Sequence, residues 1–256
     1  MPKKILFIVE GPRDEPDFIR RLYHCMQPSF HDYVFYEYTT TLHRLADRLF
    51  DDDLLDEDID LLLELSAFET DQDKKALLRM KYTDIYMVFD FEPHHEPAFF
   101  EKIRRMLGYY NDSANYGKLF INYPMMQSYK HFPCLPDPSF ADREIDFEDA
   151  FHYKQLVEQE AMDELKDLRR YAYETFVSLA VHHLKKINKI LNGRFSIPLP
   201  QTFLSLDMIR LFDKQRLKHT RENKISVVNT CILMLVDYNP RAFLASVYQR
   251  RNQYRI

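Results

Sequence analysis

The chain has 256 residues, 46% of them hydrophobic and 29% charged, which is typical of a soluble globular protein with one large domain or two smaller ones. No apolar run approaches the roughly eighteen residues of a membrane span, and no signal-peptide core is present, so we expect a cytoplasmic protein without membrane contact. The formal net charge of -5 argues against a protein that simply coats nucleic acid, and three widely spaced cysteines argue against a disulfide framework or a structural zinc site.

Charge is distributed unevenly along the sequence. Residues 1–149 hold 30 acidic against 17 basic side chains and residues 150–256 hold 10 against 18, so the two parts carry -13 and +8. The basic part could meet phosphate backbones, or the two parts could neutralise each other across an internal or subunit interface. The sequence leaves both interpretations open.

The first half alternates apolar runs with helical patterns. Short runs bounded by polar residues predict buried strands, and three-and-four spacing of apolar residues predicts helices between them. Strands separated by helices indicate an α/β fold with a parallel sheet flanked by helices. The predicted elements are strand Ile5–Val9, helix Glu15–Met26, strand Tyr33–Tyr38, helical segments within 42–81, strand Ile85–Phe89, a helix after Pro97 and strand Leu119–Ile121.

The second half predicts helices throughout. Neither Gly nor Pro occurs from Ser139 to Asn192, and the apolar spacing from Ala161 onwards predicts one helix of up to about thirty residues ending at Asn192 and Gly193. Further helices are expected at Leu206–His219, Ile225–Val236 and Pro240–Arg250. We therefore expect an α/β domain at 1–138 and an all-helical domain at 139–256, the latter for dimerisation, partner binding or nucleic-acid binding.

Three carboxylates stand at the ends of two predicted strands. Glu10 follows the first strand, and Asp90 and Glu92 close the apolar run that begins at Asp84. Ligands of open parallel sheets bind beyond the carboxyl ends of the strands. Two carboxylates about 4 Å apart repel by roughly 1 to 4 kcal/mol, so such a cluster favours a cation. Oxygen ligands suit Mg²⁺ or Mn²⁺, whose natural substrates are phosphate esters. Alternatively, each acid caps the helix that follows it.

The same residues carry a family resemblance. Ile8 to Gly11, followed by Asp14 and Glu15, a helix, and later a strand ending in Asp90-x-Glu92, resembles the TOPRIM domain of primases, topoisomerases and OLD-type nucleases. The stretch Val9 to Glu15 and the segment from Asn122 to Ser128 are similar to bacterial anti-phage defence proteins of this type. The chain departs from the family pattern at Glu92, where the family has Asp, and at Gln127, where many relatives have an acid.

The resemblance implies a Mg²⁺- or Mn²⁺-dependent endonuclease with catalytic and metal-binding residues Glu10, Asp90 and Glu92. It also implies a toxic effector of a bacterial anti-phage defence system, acting in abortive infection on DNA or RNA. The chain has four glycines and no Walker-type loop, so we expect a separate ATPase or sensor protein to control its activity. A homo-oligomer is also compatible with the resemblance.

Several other residues are candidates for supporting roles. Each also has an ordinary structural explanation: a turn, a favourable charge at a helix N-terminus, or an exposed loop position. These candidates are Gly11, Asp14, Glu15, His94, His95 and Lys130.

Two alternatives keep the fold and change the function. A non-catalytic regulatory or binding module would use the acids to hold a structural ion or a basic partner, as the departures at Glu92 and Gln127 suggest. A receiver-like domain would use Asp90 as a phosphoacceptor, although such domains have an acidic pair after the first strand, where Gly11 stands here.

Overall fold

The computed structural model describes residues 3–30, 32–50, 59–92, 97–202 and 206–249. The described chain forms two compact units. The first contains the described parts of Met1–Pro16 and His31–Phe120, and the second those of Asp17–Phe30 and Ile121–Ile256. The units are therefore not two consecutive stretches of sequence.

A five-stranded sheet organises the α/β part of the fold, as its residue pattern predicts. Its strands are β1 (Ile5–Val9), β2 (Tyr33–Glu37), β3 (Asp84–Asp90), β4 (Asn111–Asp112) and β5 (Gly117–Asn122). Their order is β2-β1-β3-β5-β4. Strand β1 pairs in parallel with both β2 and β3, whereas the two-residue β4 pairs antiparallel with β5.

Aromatic side chains connect the central strands of this sheet. All five residues of β1 are buried, as expected for a strand covered on both faces. The Phe7 ring stacks on Phe35 of β2 and on Tyr86 of β3, with ring centroids 5.5 Å apart in both pairs. Tyr86 in turn stacks on Phe120 of β5 at 6.1 Å. These cross-strand contacts fix which faces of neighbouring strands lie together.

Helices connect the strands, and side-chain caps define where several of them begin. They are α1 (Asp14–Met26), α2 (Leu42–Leu49), α3 (Leu61–Phe68), α4 (Gln72–Leu78) and α5 (Pro97–Tyr109). The Asp60 carboxylate accepts the backbone N–H groups of Leu62 and Leu63 at the start of α3, at 3.1 and 3.0 Å. Such caps satisfy donors that have no partner inside the helix.

The part of the chain predicted to be all-helical, residues 139–256, is mainly helical but also contains two strands, so that prediction was wrong. Its helices are α6 (Tyr153–Glu160), α7 (Asp163–Lys166), α8 (Tyr173–Asn192), α9 (Met208–Glu222), α10 (Met234–Tyr238) and α11 (Pro240–Gln249). Strands β6 (Glu144–Asp146) and β7 (Lys224–Ser226) form an antiparallel pair. The helix predicted at 225–236 is therefore replaced by the end of β7, a 3-10 turn at Cys231–Leu233 and α10.

The prediction of a single helix of about thirty residues was also wrong. Helix α6 ends before Ala161, and Asp167 interrupts the next helical stretch by accepting the backbone N–H of Arg169 at 3.1 Å. The continuous part, α8, has 20 residues. Its predicted end is confirmed, because Gly193 adopts a left-handed conformation with φ of 75° and donates its N–H to the Lys189 carbonyl.

None of the helices in the described part of the chain combines the length and the apolar character that a membrane span requires.

Candidate carboxylate site

The carboxyl ends of β1 and β3 lie side by side at one edge of the sheet. These strands are parallel neighbours, with Val9 opposite Val88. Glu10 directly follows β1 and Asp90 is the last residue of β3. Chain order reverses across β1, whose neighbours are β2 and β3, and ligand crevices form at such reversals. The edge that carries these acids is therefore the usual ligand edge of the architecture.

The Glu10 carboxylate is directed at the end of β3. Its Oε2 atom accepts the backbone N–H of Asp90 at 3.2 Å. Burial, together with the negative charges of Glu92 and Glu15, raises the pKa of Glu10 from 4.5 to about 7, and the hydrogen bond from the Asp90 N–H opposes this shift. The carboxylate is therefore poised to hold a proton or a cation near neutral pH.

Glu15 brings another acid to the same place. It lies in the first turn of α1 with only 5% of its surface exposed. A Cβ atom placed on Gly11 would lie 3.2 Å from the Glu15 Oε2 atom, closer than most such contacts. Gly11 thus leaves room for the Glu15 carboxylate. Asp14, the neighbouring candidate, is exposed to solvent.

Glu92 faces a buried histidine. The His43 Nδ1 atom lies 3.5 Å from Glu92 Oε2, and His43 is 2% exposed. The rings of Phe99 and Phe100 approach the imidazole edge-on, with centroids 5.8 and 6.3 Å away. His43 was not among the residues predicted from the sequence. The available signal was its place on the buried face of α2, among leucines, where an imidazole needs a polar neighbour.

The acids have the right chemistry for a hard cation but are not arranged around one. The Asp90 Oδ1 and Glu92 Oε2 atoms are shielded from solvent. Within the described ranges, no three His, Cys, Asp or Glu side chains have the geometry of an assembled metal site. Binding a cation would require side-chain rotation, most directly of Glu10 away from the Asp90 backbone. The oxygen donors and their mutual repulsion fit Mg²⁺ or Mn²⁺.

The remaining candidates from the sequence are His94, His95 and Lys130. His94 and His95 lie outside the described residues. Lys130, in the second unit, is buried and forms an ion pair with Glu158. Gln127 is also buried in that unit. The role predicted for Lys130 near the carboxylates stays a prediction.

Comparisons with protein-family profiles, with curated proteins and with solved structures give no match for this chain. The resemblance to the TOPRIM domain therefore continues to rest on the residues that carry it.

Proposed function

We propose that this chain is a Mg²⁺- or Mn²⁺-dependent nuclease with a TOPRIM-like domain. The observation that carries the proposal is the position of Glu10, which contacts the end of β3 while the charges of Glu92 and Glu15 act on it. A partly buried site with several carboxylates is unfavourable without a counter-charge, and a divalent cation supplies one.

The residues have distinct roles in this proposal. Glu10, Asp90 and Glu92 would hold the cation, and the buried Glu15 would add negative charge beside them. The bound cation would lower the pKa of a water molecule and neutralise charge on the phosphate. Near neutral pH the Glu10 carboxyl would release its proton as the cation binds, because both compete for the same oxygen atoms.

The biological setting of the proposal rests on the resemblance alone. It is that of a toxic effector in a bacterial anti-phage defence system, released or activated by a separate ATPase or sensor protein. The absence of a nucleotide-binding loop from the sequence supports a separate partner.

The test measures cation binding and cleavage with the full-length protein. Calorimetric titration with Mn²⁺ should show binding to the wild type and at least about tenfold weaker binding to Glu10→Gln and Asp90→Asn. The same variants should lose cleavage of labelled DNA and RNA in Mg²⁺ or Mn²⁺, with the candidate gating partner supplied. Asp14→Asn is the matched control, since it removes an exposed acid from the same region. Equal Mn²⁺ binding by wild type, Glu10→Gln and Asp90→Asn would refute the proposal.

One observation favours a second function, a non-catalytic binding module. Glu92 already faces the buried His43, which gives this acid a structural setting that needs no cation. In that case the wild type should bind no Mn²⁺ and cleave neither DNA nor RNA, while Glu92→Gln should destabilise the fold. Metal-dependent cleavage that disappears in Glu10→Gln excludes this alternative.

A further inference from the structure

A basic pocket lies in the second unit, between α8, α9 and the chain around β6. Its volume is about 300 Å³, the lower end of the range for small-molecule sites. Apolar atoms of Ile190 and Leu217 form part of its wall. The positively charged side chains that line it are Lys186, Lys189, Lys214, Lys218 and Arg221.

The acids of the pocket neutralise only some of these cations. Asp142 pairs with Lys189. Glu144 and Glu222 both pair with Lys218, at 2.8 and 2.9 Å. With five basic and three acidic side chains, the lining carries a formal charge of +2.

The surplus charge comes from residues without a carboxylate partner. Among the residues that the structure describes, Lys186, Lys214 and Arg221 form no ion pair, and the last two are exposed. Lys186 is buried, with 1% of its surface exposed, and donates to the backbone carbonyls of Ala141 and Arg143 at 2.9 and 3.0 Å. These two hydrogen bonds use two of its three N–H donors, and the ammonium also lies 5.8 Å from the centre of the Phe140 ring.

We propose that this pocket binds a phosphate group, carried either by a nucleotide or by the backbone of a nucleic acid. A terminal phosphate near neutral pH carries about -1.5 to -2, which matches the charge of the lining. Lysine ammonium groups are common phosphate ligands, and arginine adds a planar pair of donors. The apolar wall at Ile190 and Leu217 gives the sugar or base a surface to contact. This inference does not depend on the carboxylate site.

Burial of Lys186 supports the assignment. Desolvation lowers the pKa of its ammonium to about 8, with the neighbouring Lys189 and Lys218 acting in the same direction and Glu144 opposing them. Positive charges that repel one another at close range are stabilised by an anion between them.

The test uses the full chain and three probes: inorganic phosphate, adenosine 5′-monophosphate and a short labelled single-stranded oligonucleotide. The pocket variant is the double substitution Lys214→Ala with Arg221→Ala, because both side chains are exposed and the fold should survive their loss. Arg170→Ala with Arg241→Ala is the control, since it removes two exposed arginines from the same unit outside the pocket. Thermal unfolding of both variants checks that they are folded.

The pocket variant should bind each wild-type ligand at least about tenfold more weakly, while the control stays within about twofold. Inorganic phosphate and the nucleotide should displace the oligonucleotide. Tighter oligonucleotide binding with a steep salt dependence would assign the phosphate to a nucleic-acid backbone, and similar affinities for nucleotide and oligonucleotide would assign it to a free nucleotide. Equal binding by the pocket and control variants, or no binding of any probe by the wild type, would overturn the proposal.

Discussion

The raised pKa of Glu10 predicts how the stability of the metal-free protein changes with pH. Glu10→Gln replaces the carboxyl by an amide of nearly the same shape, whose oxygen can still accept the Asp90 N–H. A shift from 4.5 to about 7 corresponds to about 3.5 kcal/mol at about 1.4 kcal/mol per pH unit. We take this as an upper figure, because Glu10 is only partly buried.

The sign follows from the direction of the shift. The folded protein holds the Glu10 proton more tightly than the unfolded chain, so this stabilisation is complete below pH 4.5 and is lost as pH rises through about 7. Relative to Glu10→Gln, the wild type should lose up to roughly 2.5 kcal/mol of unfolding free energy between about pH 5 and pH 8.

Urea unfolding of both proteins in a chelating buffer measures this difference. Subtracting the unfolding free energy of the variant from that of the wild type cancels the contribution of every other titrating group that the substitution leaves unchanged. Asp14→Asn serves as the control, because it removes an exposed acid of the same region and leaves Glu10 in place. A wild-type-minus-variant difference that stays constant across this pH range would refute the electrostatic reasoning. With Mn²⁺ added at about pH 8, the wild type should regain stability and Glu10→Gln should not.

Three further substitutions test single features of the structure. Gly11→Ala would place a Cβ 3.2 Å from the Glu15 carboxylate, so we expect a loss of about 1 kcal/mol in urea unfolding and weaker Mn²⁺ binding in calorimetry; unchanged values for both would contradict this. His43→Ala should lower the unfolding free energy by about 2 to 3 kcal/mol, because it empties a buried position beside Glu92, and a loss below about 0.5 kcal/mol would show that the imidazole is not packed as described. Gly193→Ala should lower the unfolding free energy by about 1 kcal/mol through backbone conformation alone, since φ is 75° and an added Cβ meets nothing within 4 Å. Gly193→Asn should lower the unfolding free energy less, because Asn tolerates this conformation better than Ala.

The sequence predicted the elements whose signals are local. Strand β1 is a run of five apolar residues and is found at the predicted bounds, and α8 ends where Asn192 and Gly193 indicated. The position of Glu10 at the carboxyl end of β1, at the same edge as the end of β3, was expected from general rules of parallel sheets. Such features depend on residues adjacent in sequence or on the regular geometry of the fold.

The features that the sequence did not predict depend on distant partners. Strands β6 and β7 have three residues each, which is too short to show a periodicity. They pair with each other although they lie about 80 positions apart in the sequence. The predicted long helix failed because Asp167 accepts a local backbone N–H, and because the Tyr171 hydroxyl donates to the Leu165 carbonyl at 2.7 Å. His43 was not predicted because it is of interest only through its contact with Glu92, which is far away in the sequence.

The pairing of β6 with β7 also constrains how the chain can be made. Ile145 meets Ile225 only after the ribosome has synthesised every helix from α6 to α9. Until then, the backbone groups of 144–146 lack their partner strand and depend on water for their hydrogen bonds. A polypeptide truncated before residue 224 would never supply that partner, so we expect this segment to stay unpaired even though α6 to α9 are almost complete.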